Sequence, residues 1–359
     1  MSLFAFVDKL SQASVTARLE KHKKGRPLTP IVVEFDCTTA CNLRCGHCVS
    51  KGLLRGEYFD GQELSDYADA LHRMDTRAVI LTGGGEPLMN PHFDAFAAKL
   101  KAYRFRIGLI TNGVLLHEHF DTLREFDWVR LSMDAATDGT FFQQKGRHVF
   151  DAVQQNIAAF AKVKGRCFLG YSFLVVKNDQ LDNTREIAAA AGQAKALGCD
   201  YFEIKLQFED VGYNHPDVPL ALENIDEIAS QIKAARALAS PGFAVLTNQN
   251  IRRLFDPAAC PDQTGMEQCY ICHLRTVITT HGLYTCSYHR GHAPMKYGES
   301  RGGDFEEVWH SEERLRMVRE IDPLKYCVNC ARGPANARII EMLNDPGPLV
   351  GKPDYDLFI

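Results

Sequence analysis

The chain lacks any apolar run of the ~20 residues that a membrane-spanning helix needs. Its N-terminal segment also lacks the apolar h-region of a secretory signal. Both absences point to a cytoplasmic protein. Basic sequence is scarce: the formal net charge is -4 over 359 residues. The one short basic run, His22-Lys23-Lys24-Gly25-Arg26, reads most simply as a solvated linker, so no nucleic-acid partner is expected. There is no low-complexity tract and no internal repeat beyond an alternation of strand-like and helix-like patterns. Cysteine, by contrast, is abundant: twelve residues, nine of them in two groups. In a reducing compartment that abundance argues for metal ligation over disulfides.

With 45% hydrophobic and 24% charged residues, the chain has the composition of a globular protein, long enough for a barrel-sized domain and a smaller one. Residues 1–30 form an arm: a short amphipathic pattern at Phe4, Phe6, Val7 and Leu10, then a polar stretch ending at Pro27 and Pro30. From 31 to 240, strand patterns near 31–36, 78–82, 107–111, 128–133, 168–176 and 201–207 alternate with helical ones near 62–74, 92–103, 116–126, 149–163, 183–197 and 221–238. Six such units imply a parallel α/β sheet with right-handed crossovers, two units short of a closed eightfold barrel. Past 240 the rhythm is lost and cysteine, glycine and histidine become denser, so residues 241–359 read as a separate cysteine-rich domain. One helix is expected near 304–320, and the tail 347–359 is expected either to pack over the barrel mouth or to fray.

Two stretches carry chemistry early in the chain. Cys37-Thr-Thr-Ala-Cys41-Asn-Leu-Arg-Cys45-Gly-His-Cys48 follows the first strand. Cys41, Cys45 and Cys48, at C-x3-C-x2-C, can hold three corners of an iron–sulfur cubane. A zinc site or a closed cluster would need a fourth ligand, and Cys37 is available. If Cys37 points elsewhere, one iron is left open for a substrate or cofactor. The second strand then runs into Gly83-Gly84-Gly85-Glu86-Pro87. Three glycines allow a ligand to approach the backbone closely, and a tight turn alone needs neither three glycines nor an acid. Late in the chain come Cys260, Cys269-Tyr-Ile-Cys272, Cys286 and Cys327-Val-Asn-Cys330, enough thiols for a zinc site or a second cluster.

Together the first two motifs resemble the radical S-adenosylmethionine (SAM) enzymes. The resemblance implies a partial (β/α)6 TIM-like barrel with chemistry at the C-terminal strand ends. A [4Fe–4S] cluster on Cys41, Cys45 and Cys48 would chelate SAM. Gly84, Gly85 and Glu86 match the segment that binds the methionine amino group. Asn112 in Thr111-Asn112-Gly113, Ser132 at the fourth strand end and Lys145 before Gly146-Arg147 match weaker SAM-contacting positions, with Arg147 as a rival to Lys145; Asp134 would line the substrate site. Tyr171, Ser172, Glu203, Lys205 and Gln207 are further polar candidates for SAM or substrate contact on the fifth and sixth strands. The C-terminal pattern resembles a twitch domain, a shorter relative of the SPASM domain, with an auxiliary [4Fe–4S] cluster on Cys272, Cys286, Cys327 and Cys330 and Cys269 as a rival to Cys272. The gap from Gly282 to Cys286 departs from the usual spacing by one residue. The implied chemistry is reductive cleavage of SAM to a 5′-deoxyadenosyl radical, with an electron donor such as flavodoxin or ferredoxin, and hydrogen abstraction that leads to oxidation, epimerisation or decarboxylation. A 30-residue arm is too short for a leader-binding domain, which favours a small-molecule substrate of sugar, aminocyclitol or nucleoside type. Modification of a ribosomally made peptide, and a non-catalytic SAM-binding Fe–S or zinc protein, are the alternatives.

Overall fold

The computed structural model describes residues 6–178, 181–206, 225–247, 251, 255, 268–299, 303–327, 330 and 332–359. Its strands, in chain order, are β1 (Val32–Asp36), β2 (Ala78–Thr82), β3 (Arg106–Thr111), β4 (Trp128–Ser132), β5 (Phe168–Val175), β6 (Lys177–Asn178), β7 (Leu181–Asp182), β8 (Tyr201–Leu206), β9 (Ala244–Thr247), β10 (Arg275–Thr279), β11 (Gly282–Tyr284) and β12 (Lys296–Gly298). Ten of them form one sheet in the order β12-β11-β10-β1-β2-β3-β4-β5-β8-β9, while β6 and β7 pair as a separate hairpin. The six expected strands are β1 to β5 and β8, all parallel to their neighbours. This is the partial barrel with its long parallel sheet.

Four sheet strands escape the sequence periodicity. β9 adds a parallel strand beside β8, and β10 pairs in parallel with β1 before turning through Gly282 into β11. A chain segment more than 240 positions downstream therefore completes the sheet on the β1 side. The helix Asp138–Lys145 is also additional, and the helix expected at 304–320 is broken at Ser311, whose hydroxyl caps the second piece.

Alternation along the strands sorts the side chains. Val33, Phe35, Val79, Leu81, Ile107, Leu109, Val129 and Leu131 join the helices in the main core. Glu34, Asp36, Ile80, Ile110 and Arg130 stand on the other, inner face. Glycine makes room there for large rings. A Cβ on Gly108 would fall 2.2 Å from the Trp128 ring, and one on Gly170 2.0 Å from that of Tyr201.

The N-terminal strand ends are sealed by a second core. It joins Val15 and Leu19 of the helix Ala13–Lys23, Ile271 and Leu274, Ile339 and Met342 of the helix Gly333–Asn344, and Leu357 and Ile359 of the tail. Phe358 meets Trp128 edge-on at 5.3 Å, and Lys352 bridges to Gln12. The tail thus packs at the end of the barrel opposite the mouth. Leu349, Leu357, Phe358 and Ile359 of the tail find their complement in this second core.

A buried ionic network ties β1 to β10. Glu34 pairs with Arg275 through both Nε and Nη2, lies 3.4 Å from Arg290 Nη2 and 3.6 Å from Arg332 Nη2. Arg290 also grips Asp36, with Nη2 3.1 Å from Oδ1. Burial alone would raise the Glu34 carboxyl, but the three guanidiniums hold it down at about 2.

Two outcomes follow. Gly108→Ala drives a methyl into the Trp128 ring and should cost about 1–3 kcal/mol in chemical denaturation; a variant as stable as the parent would mean the ring lies elsewhere. Glu34→Ala leaves guanidiniums buried without their anion and should cost about 3–5 kcal/mol, read as a lowered unfolding midpoint.

Candidate active site

The cysteine loop starts where β1 ends. Cys37 turns outward into the main core, fully buried among apolar neighbours, and burial pushes its thiol far above the ordinary range. It does not join the other three. Cys41, Cys45 and Cys48 are partly buried and feel one another's charge. Burial, and then neighbouring negative charge, pushes Cys41 up to about 11; burial also raises Cys45, opposed by the nearby Lys145 ammonium. Three thiols gathered where a thiolate is costly form a donor set that the positive charge of a metal cluster completes. They fit a cubane with one open iron.

The loop is fastened on three sides. Gly85 N–H donates to Thr38 O (2.9 Å) and Glu86 N–H to Ala40 O (2.7 Å). That approach requires glycine: a Cβ at Gly85 would sit 2.0 Å from the Ala40 oxygen. On another side, Arg44 N–H donates to Lys145 O (2.9 Å) and Gly46 N–H to Gln144 O (3.1 Å), so the helix Asp138–Lys145 holds the loop by its C-terminal carbonyls. From β3, the Asn112 amide donates to Asn42 Oδ1 (2.7 Å), while Arg147 reaches Asn42 O (3.0 Å).

Glu86 is buried and its oxygens are engaged. It accepts from Thr111 Oγ1 (2.6 Å), Asn112 N–H (2.8 Å) and Leu88 N–H (3.4 Å). Burial outweighs these donors and raises its carboxyl to about 7. Glu86 therefore locks the glycine loop to the end of β3. Gly84 also donates to Asp36, whose carboxyl burial raises to about 6 in spite of Arg290.

Lys145 is ion-paired with Asp134, a residue held in the left-handed region at φ 61°. Asp134 Oδ1 accepts from Leu174 N–H (2.8 Å), and its carbonyl accepts from Gln144 and Asn183. His47 Nε2 lies 3.9 Å from the same carboxylate; burial and the Lys145 charge lower that imidazole to about 4. Asp134, Lys145 and His47 thus meet beside the cysteine loop. Ser132 and Ser172 are register partners, so Ser132 stands at the mouth beside a fully buried hydroxyl. Glu203 is taken by Arg130 at 2.9 Å. Tyr171 donates to Ala135 O (2.9 Å) on the outer face, among core residues. Lys205 stands in the interior, its pKa lowered by burial and then by Arg130. Gln207 and Cys260 lie outside the described residues.

The second cysteine group gathers around the start of β10 and the end of β11. Cys269 and Cys272 Sγ atoms are 3.4 Å apart. Cys286 and Cys327 both add to the rise of Cys272, and Cys269 adds to that of Cys286, Cys327 and Cys330. Both rivals thus belong to one gathering of five thiols. Among the described residues no three Cys, His, Asp or Glu side chains close to single-ion distances. A cubane, which spreads its ligands over four corners, makes less demand of that kind. His289 Nε2 lies 4.0 Å from Cys327 Sγ. Arg314 fixes the floor, stacked 3.3 Å over Trp309 and donating to Cys272 O (2.9 Å). Cys167 and Cys199, conceivable hydrogen donors, are packed in the main core. The sequence reading missed Arg332, which stands beside chemistry-bearing residues. Only the position of Arg332, two after Cys330, offered a signal.

Comparison with known proteins agrees with this geometry. Residues 36–190 match the family described as the Radical SAM superfamily. The chain is 27% identical over 325 residues to the mycofactocin maturase MftC of Mycobacterium tuberculosis, covering 87% of this chain and 78% of the relative. A probable GTP 3′,8-cyclase of Pyrococcus horikoshii is 27% identical over 220 residues, covering 59% of this chain and 69% of the relative. In fold, the chain is similar to Streptococcus suis SuiB bound to the precursor peptide SuiA, with a TM-score of 0.65 at 16% identity, covering 96% of this chain and 79% of that one. The domain match spans the strand end, cysteine loop and glycine segment that the geometry had singled out, and residues 36–190 carry a radical SAM domain.

Proposed function

We propose that this radical SAM enzyme modifies a ribosomally made peptide. The observation that carries the reading is the reach of the similarity. The match to the mycofactocin maturase covers 87% of the chain and so extends well past the barrel, whereas the match to the GTP cyclase covers 59%. Fold neighbours support it: SuiB is seen with its precursor peptide, and an anSMEcpe structure, with a TM-score of 0.59, holds AdoMet and a peptide. This reading displaces the small sugar-type substrate, which rested on the shortness of the N-terminal arm. The helix of that arm is committed to sealing the barrel floor.

Within it, Cys41, Cys45 and Cys48 hold the [4Fe–4S] cluster, and Cys37 stays in the core. The backbone of Gly84 and Gly85 meets the methionine end of SAM, and Glu86 positions that backbone. Asn112 joins β3 to the cysteine loop. Ser132 and the Lys145–Asp134 pair border the space where SAM and substrate meet, and Lys145 keeps its charge there: burial opposes it, but Asp134, Cys45 and Cys48 together raise its pKa. Cys286, Cys327 and Cys330, with Cys269 or Cys272, hold an auxiliary [4Fe–4S] cluster. The bound cluster and SAM supply one-electron reductive cleavage of the sulfonium and hydrogen-atom abstraction. The chain's own part is to keep water and stray donors away from the mouth and to hold charge still around it.

Iron and sulfide per chain after anaerobic reconstitution test the ligand sets. The wild type should carry about eight irons and the Cys41/Cys45/Cys48→Ala triple variant about four. Of Cys269→Ala and Cys272→Ala, the variant that drops by about four irons identifies the true ligand. The substrate class is read from 5′-deoxyadenosine release under reducing conditions. Short precursor peptides encoded beside the gene should stimulate it and appear mass-shifted. Stimulation by aminocyclitols or nucleosides, with none by peptides, would return the enzyme to small-molecule chemistry.

A further inference from the structure

Between the two cysteine groups the inner network holds three guanidiniums, Arg275, Arg290 and Arg332, against two carboxylates, Glu34 and Asp36. The arginines are unequally satisfied. Arg275 takes Glu34 with two nitrogens and also donates to Ile359 O. Arg290 donates to Asp36 through Nη2 and brings Nε against the second carboxylate oxygen. Among the described residues Arg332 has one ionic contact, the distant Glu34 at 3.6 Å, and its Nε and Nη1 are buried without a hydrogen-bond partner there. Its side chain is 9% exposed.

A buried guanidinium with two unused N–H groups is expensive unless something accepts from them. The neighbours show what that acceptor is. Arg332 stands two residues after Cys330, and its own backbone N–H already donates to Cys330 Sγ at 3.4 Å. Phe6 and Tyr288 rings flank the guanidinium at 5.6 and 5.5 Å, which blocks escape to water. Cys286 acts on its charge more strongly than Tyr288, Glu34 or Cys330, and together the four overcome the burial that would otherwise depress it. Its backbone contact with Cys330 and its stacking on Tyr288, two residues after Cys286, place the guanidinium beside the second thiol group. A cubane held there gains one negative charge on reduction, and its potential responds to nearby charge and to hydrogen bonds on its sulfurs.

We propose that Arg332 donates its free N–H groups to sulfur atoms of the auxiliary cluster and, as the uncompensated charge of the network, raises that cluster's reduction potential. The proposal rests on the reading that these cysteines hold a cubane. Arg332 is a positioning and tuning residue that touches no substrate. Glu34 holds it from behind, so the cation cannot swing away when the cluster is oxidised.

The test uses the full-length reconstituted chain carrying the Cys41/Cys45/Cys48→Ala changes, so that only the auxiliary cluster is seen. A mediated redox titration with dithionite is followed by electron paramagnetic resonance. In Arg332→Gln the reduced-to-oxidised ratio at a fixed potential should fall about tenfold, a shift of about 59 mV to the negative for one electron. Arg332→Lys, which keeps the charge and loses the fork, should shift less in the same direction. If the Gln variant loads no iron, the Lys variant is read alone, and an unmoved midpoint there overturns the proposal. An unmoved midpoint in a fully loaded Gln variant overturns it as well. About four irons in the unsubstituted chain, by contrast, would remove the auxiliary cluster itself, a failure of the underlying reading that iron counting separates from a failure of Arg332.

Discussion

The pairing of β1 with β10 around a buried carboxylate is the constraint from which the rest of the structure follows. Glu34 is buried and is kept ionised by three guanidiniums, each carried by a different part of the C-terminal third. Arg275 opens β10, Arg290 follows the short turn Ser287–His289, and Arg332 precedes the last long helix. A charge buried in this way is tolerable only when every member is in place. The C-terminal segment therefore cannot dock loosely, and the strand that carries the first cysteine loop cannot form its inner face without it. The two halves of the chain are one folding problem.

That arrangement fixes the relation between the two thiol groups. β1 leads into the first at its C-terminal end, while Arg332, beside the second, reaches back to Glu34 in its middle. Asp36, two residues on, accepts from Gly84 in the glycine segment. A continuous run of charged and hydrogen-bonded groups thus extends from the glycine loop to the second cysteine group, with no water-filled gap required. Electrostatic changes at one end are felt in a low-dielectric setting at the other.

Much of this was legible in the sequence, for identifiable reasons. The six β-α units carry long apolar periods, and their strands fall where those periods place them. The cysteine loop and glycine run are local patterns, and their contact across Thr38–Gly85 and Ala40–Glu86 is a consequence of two adjacent parallel strand ends. What escaped has no local signature. β10 and β11 are short and lie between cysteines, so neither a helical nor a strand period has room to develop. The helix Asp138–Lys145 is only eight residues long. Arg290 is 256 positions from Glu34. Pairings at such separations belong to the fold, and a single sequence offers no pattern from which to read them. The tail was legible as apolar but not in its destination, since its partner is an N-terminal helix.

Strand alternation gives the β1 arrangement one further property. Val33 and Phe35 belong to the outer core, Glu34 and Asp36 to the inner network. A single-residue insertion or deletion within the strand would exchange the two sets, sending carboxylates among aromatic rings and hydrocarbon among guanidiniums. The spacing between the two thiol centres is consequently quantised. It can lengthen or shorten by two residues, about 6.6 Å of strand, but not by one, so evolution can adjust the separation of these centres along β1 only in whole pleats.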